Sequence, residues 1–304
     1  MGLPKVFVVV LNWNLKDDTI ACIESVLASS YKPASVIVVD NGSLDGSAAY
    51  IADHFGKSID LIVNETNMGF AAGVNVGIRH ALAHNADWIL LLNNDAIIAP
   101  DMIEQLMAVA DCRPDIGILG PAIFYYDQPD RVWRLGDRHP GWSPIPFKIS
   151  ERVLRKGNEI LPVDYVTGCG MLIRRQVFSS IGLFDPSYFM YYEDADFCRR
   201  AKQAGFSIVC VPAAKMWHKI SGSTRTNISY QYYLKTRSRV HFYRRHYSLL
   251  ALGYLILYII WTILAYTFKG DGKVIRACIK GFYHGWRIGR DKEPTEVNNG
   301  NSRL

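Results

Sequence analysis

The sequence predicts an α/β fold, a mostly parallel sheet flanked by helices, followed by an apolar and basic helical region at the C-terminus. Three observations predict it. Over the first 120 residues, short β-branched runs alternate with amphipathic stretches. Polar residues gather where the apolar runs stop, and twenty residues without a charge, Leu249 to Phe268, form one long apolar segment. With 304 residues, 49 % of them apolar, the chain has ample material for a sizeable core.

The elements follow in order. KVFVVVL reads as a buried strand, and Asp17 or Asp18 then caps a helix whose Ile20, Ile23, Val26 and Leu27 recur at helical spacing. SVIVVD is a second strand ending in the turn NGSLDGS, and AAYIADHF a second helix. IDLIVN, AAGVNVGIRHALAHN and DWILLLN continue as strand, helix and strand. Pro100 opens the helix PDMIEQLMAVADC, and IGILGPAIF follows as another strand. Residues 125–162, crowded with prolines, tryptophans and charges, read as a loop-rich insert. Order resumes at VDYVTGCGMLIRR, followed by a helix, the segment FDPSYFMYYEDADFCRRAKQAGF, the strand SIVCVP and the loop AAKMWHKISGSTR. Beyond Asn227 the chain reads as helix to Arg290, with a disordered tail from about 291. The predicted domains are therefore residues 1–225 and 226–304.

Six cysteines with no CxxC pair read as reduced thiols, and the start Met1-Gly2-Leu3-Pro4-Lys5 offers no signal peptide, so the first domain is expected in the cytoplasm. The net charge is +6, with cations crowded between Lys235 and Lys292. Because they flank an apolar run, nucleic acid is not the expected partner.

In an open parallel sheet the ligand site lies beyond the carboxyl ends of the strands. There the sequence places Asn12 and Asn14, Asp40 and Asn41, Asn64 to Gly69, and Asn93 to Asp95. Each could be an ordinary turn. What favours a site is an aspartate at two strand ends together with His218 in WHKISGS. An aspartate and a histidine, completed by the oxygens of a diphosphate, can hold Mg²⁺ or Mn²⁺, the imidazole favouring Mn²⁺. Gly73 and Gly77 read as close packing of a helix on the sheet, whereas Gly69, just before the helix, reads as a place where backbone approaches a ligand. No Gly-Lys-Ser/Thr follows, which excludes a P-loop. In YYEDADFCRR, Glu193 or Asp196 fits a solvated acidic helix start. The aromatic lead-in FDPSYFMYY instead points to a partly buried carboxylate of raised basicity, a general-base candidate.

Seven segments in order, VVVLNWN, VVDNGSLDGS, NMGFAAGVNVGI, LLNNDA, TGCGMLIRR, FDPSYFMYYEDADFCRRAKQAG and WHKISGS, resemble the inverting glycosyltransferases of family 2, particularly the bacterial rhamnosyltransferase-like branch. The resemblance covers roughly residues 4 to 225 and implies a GT-A fold, a nucleotide-sugar donor and a role in cell-surface polysaccharide synthesis. It implies that Asn12, Trp13, Asp40 and Asn41 meet base and ribose, with Asn67, Gly69 and Asn94 completing the donor side. It assigns Asp95 and His218 to a divalent cation, Asp194 to the catalytic base, and Gly168 and Glu193 to the acceptor side. The signature reads Asn-Asn-Asp here, an amide standing at its first acidic position, so one protein carboxylate remains for the metal.

Basic aromatic segments, YLKTRSRVHFYRRHYS and FKGDGKVIRACIKGFYHGWRIGRDK, flank the apolar run. Such flanks suit an anionic membrane surface. A single span would carry one of them to the far side, so a re-entrant or in-plane helix at the cytoplasmic face is expected, next to a lipid-linked acceptor. Homo-oligomerisation stays open. The rival readings are a nucleotidyltransferase, which would need a basic Gly-rich loop after the first strand, and a non-catalytic membrane scaffold that binds a sugar nucleotide.

Overall fold

The computed structural model describes residues 3–32, 35–138, 147–157, 159–220 and 227–289. Strand and helix alternate as the apolar runs dictate. β1 (Val6–Asn12), with four valines in seven residues, leads to α1 (Lys16–Leu27), β2 (Ser35–Asp40), α2 (Ser47–Phe55), β3 (Asp60–Val63), α3 (Gly69–Ala83) and β4 (Trp88–Asn93). A short β5 (Ala96–Ile98) precedes α4 (Met102–Cys112) and β6 (Ile116–Tyr125). Among the described residues the insert holds small pieces, β7 (Val132–Arg134), β8 (Asp137–Arg138), β9 (Phe147–Lys148), a 3₁₀ turn at Glu151–Lys156 and β10 (Leu161–Pro162). β11 (Gly170–Arg174), α5 (Arg175–Ile181), α6 (Glu193–Gln203) and β12 (Ser207–His218) complete the α/β part. Three helices follow, α7 (Ile228–His246), α8 (Leu249–Phe268) and α9 (Gly272–Arg287).

The main sheet runs β10-β12-β6-β11-β4-β1-β2-β3. β1 pairs in parallel with β2 and β4, β2 with β3, and β6 with β12. β11 lies antiparallel between β4 and β6, so six strands still point one way. Their polar ends, Asn12, Asp40, Asn93 and His218, therefore share one edge. Alternation within the strands feeds two cores. Val8, Val10, Leu90 and Leu92 meet α1, α2 and α4 on one face, and Val9, Ile37, Val39, Ile89 and Leu91 meet α3, α5 and α6 on the other. Gly73 and Gly77 let α3 sit close, since a Cβ would come within 2.7 Å of Leu11 and 2.5 Å of Val9.

Three sequence expectations change. Asp17 and Asp18 lie within α1, whose N-cap is Leu15 with no side-chain cap, and Asp18 instead binds Lys219 Nζ at 2.7 Å. The predicted loop AAKMWH is strand, because β12 continues to His218 by pairing with β5 and, after an irregularity between Val211 and Lys215, with β6. The insert is tied down at its ends, β7 to β6 and β10 to β12. The predicted disordered tail from about 291 lies outside the described residues.

The C-terminal helices are joined by short turns and begin with side-chain caps from Asn227, Ser248 and Asp271. Gly281 and Gly285 bring α9 against the backbone of α7, where a Cβ would meet Tyr233 O at 2.6 Å and Arg237 O at 2.3 Å. α8 buries Ala251, Leu252, Leu255, Ile259 and Thr262, one helical face. Its other face exposes Leu250, Tyr254, Leu257, Trp261, Leu264 and Phe268. Among the described residues it is the one helix long and apolar enough to cross a membrane.

Candidate active site

The sheet's polar edge carries a closed network. Asn12, buried at the end of β1, donates to Asp40 Oδ2 at 2.6 Å and to Ser43 Oγ at 3.1 Å, and accepts from Thr19 Oγ1 at 2.7 Å. The Ser43 N–H donates to Asp40 Oδ1 at 2.9 Å. Both oxygens of Asp40 are thus engaged, and the residue is 1 % exposed. Asn94 joins by donating to Thr19 Oγ1 at 2.9 Å. Trp13 is half-buried where β1 ends. A second cluster ties β2 to the start of α3: Asn41 donates to Asn67 Oδ1 at 2.9 Å and to Gly69 O at 3.1 Å. At Gly69 the chain itself demands a glycine, since φ is +79° and a Cβ would lie 2.3 Å from Phe189 O.

Asp95 and His218 meet because β5 and β12 form a ladder that sets Ala96 opposite His218. His218 Nε2 lies 2.9 Å from Asp95 Oδ1, both side chains are buried, and Lys219 N–H donates to Asp95 O at 2.9 Å. Nδ1 of His218 is buried without a hydrogen-bond partner, and the Trp133 ring stands 4.8 Å from the imidazole. Asp95, not Asp40, is the carboxylate at the histidine.

The third cluster opens α6. Asp194 Oδ2 accepts from Tyr165 Oη at 2.8 Å and from the Gly168 N–H at 3.0 Å, and Oδ1 accepts from the Ala195 N–H at 2.8 Å. Gly168, expected on the acceptor side, therefore touches the expected base directly. The solvated reading of Glu193 and Asp196 fails, since both are buried by the aromatic lead-in and by α7. Burial, and then the charge of Asp194, push the Glu193 carboxyl well above the usual range, and its Oε2 has no partner. Burial would raise Asp196 as well. Instead His246 Nε2 and Arg200 Nε, each at 2.7 Å, hold it low and ionised.

The segment before Asp194 is strained and strapped. Tyr191 and Tyr192 both adopt φ of +70°, a left-handed conformation costing about 1–3 kcal/mol at each non-glycine residue. α7 holds them there. Ser238 Oγ donates to Met190 O at 2.9 Å, Arg239 Nε to Tyr192 Oη at 2.6 Å and Arg237 to Ser187 O at 2.9 Å. Sequence reasoning missed these straps, and missed Tyr165, Thr19 and Ser43. The one legible signal was Tyr165 itself, an aromatic hydroxyl three residues before Gly168.

The model of a family described as glycosyltransferase like family 2 matches residues 4–242. An N-acetylglucosaminyl-diphospho-decaprenol L-rhamnosyltransferase of Mycobacterium tuberculosis is 31 % identical over 219 residues, covering 66 % of this chain and 71 % of that protein. The low-salt glycan biosynthesis hexosyltransferase Agl10 of Haloferax volcanii is 27 % identical over 242 residues, 78 % of this chain and 75 % of that one. Among solved structures, GalNAc-T7 with UDP, GalNAc and Mn²⁺ superposes with a TM-score of 0.62 at 17 % identity, over 80 % of this chain and 48 % of the other. TarS of S. aureus gives 0.56 at 15 % identity, over 81 % and 41 %. This chain spans about half the length of those two, and the likeness to them is one of fold. With the family match running across all three clusters, the chain belongs to glycosyltransferase family 2, as a GT-A enzyme that draws on a nucleotide-sugar donor.

Proposed function

We propose that the enzyme moves a hexose, rhamnose from a dTDP donor or a sugar from a UDP donor, onto a hydroxyl of a lipid-linked saccharide with inversion at the anomeric carbon. The observation that carries this reading is the Asp194 carboxylate, held by three donors beside the buried Glu193. Inversion needs one displacement and a base for the acceptor hydroxyl. Burial disfavours the charged form of Glu193, whereas three donors meet the oxygens of Asp194 and orient it, and that geometry favours Asp194 for the role. The networks around Asn12, Asp40, Asn41 and Asn94 stiffen the edge where base and ribose would lie.

Asp95 and His218 fit a divalent cation. One carboxylate oxygen and one imidazole nitrogen converge at 2.9 Å in a buried setting, and that mixed donor set suits Mn²⁺ or Mg²⁺ completed by diphosphate oxygens. When bound, the ion supplies charge neutralisation to the departing diphosphate. The solved GalNAc-T7 with UDP and Mn²⁺ supports the donor and ion classes, and the decaprenol-linked relative supports the acceptor class.

Location follows from α8. One face is packed on α7 and α9, so a transmembrane course would draw their arginines and lysines into hydrocarbon, at a cost of several kcal/mol. An in-plane position at the cytoplasmic face lets the exposed leucines and Trp261 enter the bilayer while Lys273, Arg276, Lys280 and Arg287 of α9 meet anionic head groups.

The test is Asp194→Asn. The donor should stabilise variant and wild type alike in thermal unfolding, with Mn²⁺ adding to the shift, while turnover falls by ~10²–10⁴. Near-normal turnover would remove Asp194 from the role. His218→Ala should lose the increment due to Mn²⁺ and keep the shift due to nucleotide alone.

A further inference from the structure

Between α7, α8 and α9 lies a cavity of about 200 Å³, lined among others by Tyr232, Lys235, Arg239, Tyr258 and Thr262. Its chemistry is one-sided. Two cations one helical turn apart share it with hydroxyls, and no carboxylate lines it. Neither Lys235 nor Arg239 makes an ion pair within 4 Å among the described residues. Burial, and then the charge of Arg239, lower the Lys235 ammonium from its ordinary value, while Arg239 is met by the hydroxyls of Tyr192 and Tyr258 and not by a carboxylate.

The cavity also has an address. Arg239 lies 4.8 Å from the Tyr258 ring of α8 and donates to Tyr192 Oη, while Lys235 Nζ sits 5.1 Å over the Tyr191 ring. Both tyrosines immediately precede Glu193 and Asp194. From Tyr192 to Asp194 the backbone spans no more than about 7 Å. One wall of the cavity is thus the helix with the exposed apolar face, and the two cations on the α7 wall also contact the segment that carries the base. Its volume is below the roughly 300–1,000 Å³ of pockets that enclose a whole drug-sized ligand, so it suits a head group and not a glycan.

We infer that Lys235 and Arg239, with the hydroxyls of Tyr232 and Tyr258, form a binding site for the phosphate or diphosphate that joins the acceptor's saccharide to its lipid. The inference rests on the lipid-linked acceptor proposed above and gives that acceptor its anchoring contact: lipid along α8, anion between α7 and α8, first sugar toward Asp194. Arg239 holds Tyr192 as well, so anion binding and the posture of the catalytic segment are joined through one guanidinium.

The experiment uses the full chain and Lys235→Glu, floated with phosphatidylcholine vesicles carrying a polyprenyl diphosphate, the matching polyprenol, or phosphatidylglycerol at equal charge. Wild type should prefer the diphosphate vesicles over either of the others by about tenfold, the scale expected for one or two cations at a lipid surface. Lys235→Glu should lose that preference, Lys235→Arg should keep it, and both should bind nucleoside diphosphate normally in thermal unfolding. Retention of the preference by a folded Lys235→Glu overturns the site, as does equal wild-type binding to the diphosphate and phosphatidylglycerol vesicles. Competition by micromolar inorganic diphosphate would assign the cavity to a free anion and overturn the lipid source. Two outcomes separate this inference from the reading beneath it. Transfer by Lys235→Glu to a lipid-linked acceptor at the wild-type KM removes the site and leaves the acceptor class. The vesicle preference without any transfer to such an acceptor removes the acceptor class and leaves the site.

Discussion

Glu193 and Asp194 are neighbours in different surroundings, and the duties proposed for them rest on that difference. Burial, and then the charge of Asp194, hold the Glu193 carboxyl in the folded protein well above its ordinary value of 4.5, near which it ionises in the unfolded chain. The unfolded state therefore releases a proton that the native state keeps, and stability falls as pH rises from 4.5 toward the folded value. Glu193→Gln should remove this slope: the variant is expected to melt at the same temperature as wild type near pH 4.5 and higher at pH 8, with turnover within about tenfold of wild type. Thermal unfolding across pH, with one rate measurement, checks both. The residue type and order of this pair were legible, since two acids after an aromatic run mark a buried carboxylate. Their division came only through the family resemblance, because the contacts that set Asp194 apart come from Tyr165 and Gly168, which lie 29 and 26 residues away from it in the chain.

At the scale of elements, long periodic segments declared themselves and short or paired ones did not. The strands from β1 to β4 and the helices between them follow directly from valine-rich runs and helical spacing. β5 has three residues and no pattern of its own, so it exists through its partner β12, and the extended reach of β12 rests on pairing with both β5 and the end of β6. That dependence on distant partners is why His218 read as a loop residue. The α7–α9 contact was hidden in a similar way: Gly281 and Gly285 look like poor helix formers until the facing backbone is seen. Gly285→Leu should push α9 off α7 at Arg237, costing about 1–3 kcal/mol, the usual range for overpacking. Because α7 also straps residues 187–192, turnover should fall along with the melting temperature, and donor binding at the far edge of the sheet should survive. Unchanged turnover in a destabilised variant would mean that the straps do not depend on α9.

For the whole molecule, the consequential surface is the outer face of α8. Leu257 and Trp261 are 62 % and 65 % exposed and one turn apart. Replacing both by glutamate should leave the fold intact, since neither fills a core. Vesicle binding should weaken by at least tenfold, because each apolar side chain contributes about 1.5–3 kcal/mol when buried in a lipid surface. Flotation with anionic vesicles, alongside thermal unfolding as a control of folding, decides it, and undiminished binding would place the membrane contact elsewhere. The apolar stretch itself was legible as a candidate span. What the sequence could not tell was that one of its faces is already packed against α7 and α9.

Ser238 and Arg239 join the segment bearing Asp194 to the helix on which α8 is packed, so the distance from the proposed base to the outer face of α8 is a fixed dimension of the protein. Laid on a bilayer, such an enzyme works at one height. It would choose among hydroxyls by their stature above the lipid, accepting a first or second sugar and passing over the same sugar at the end of a longer chain, and so would measure the glycan it extends.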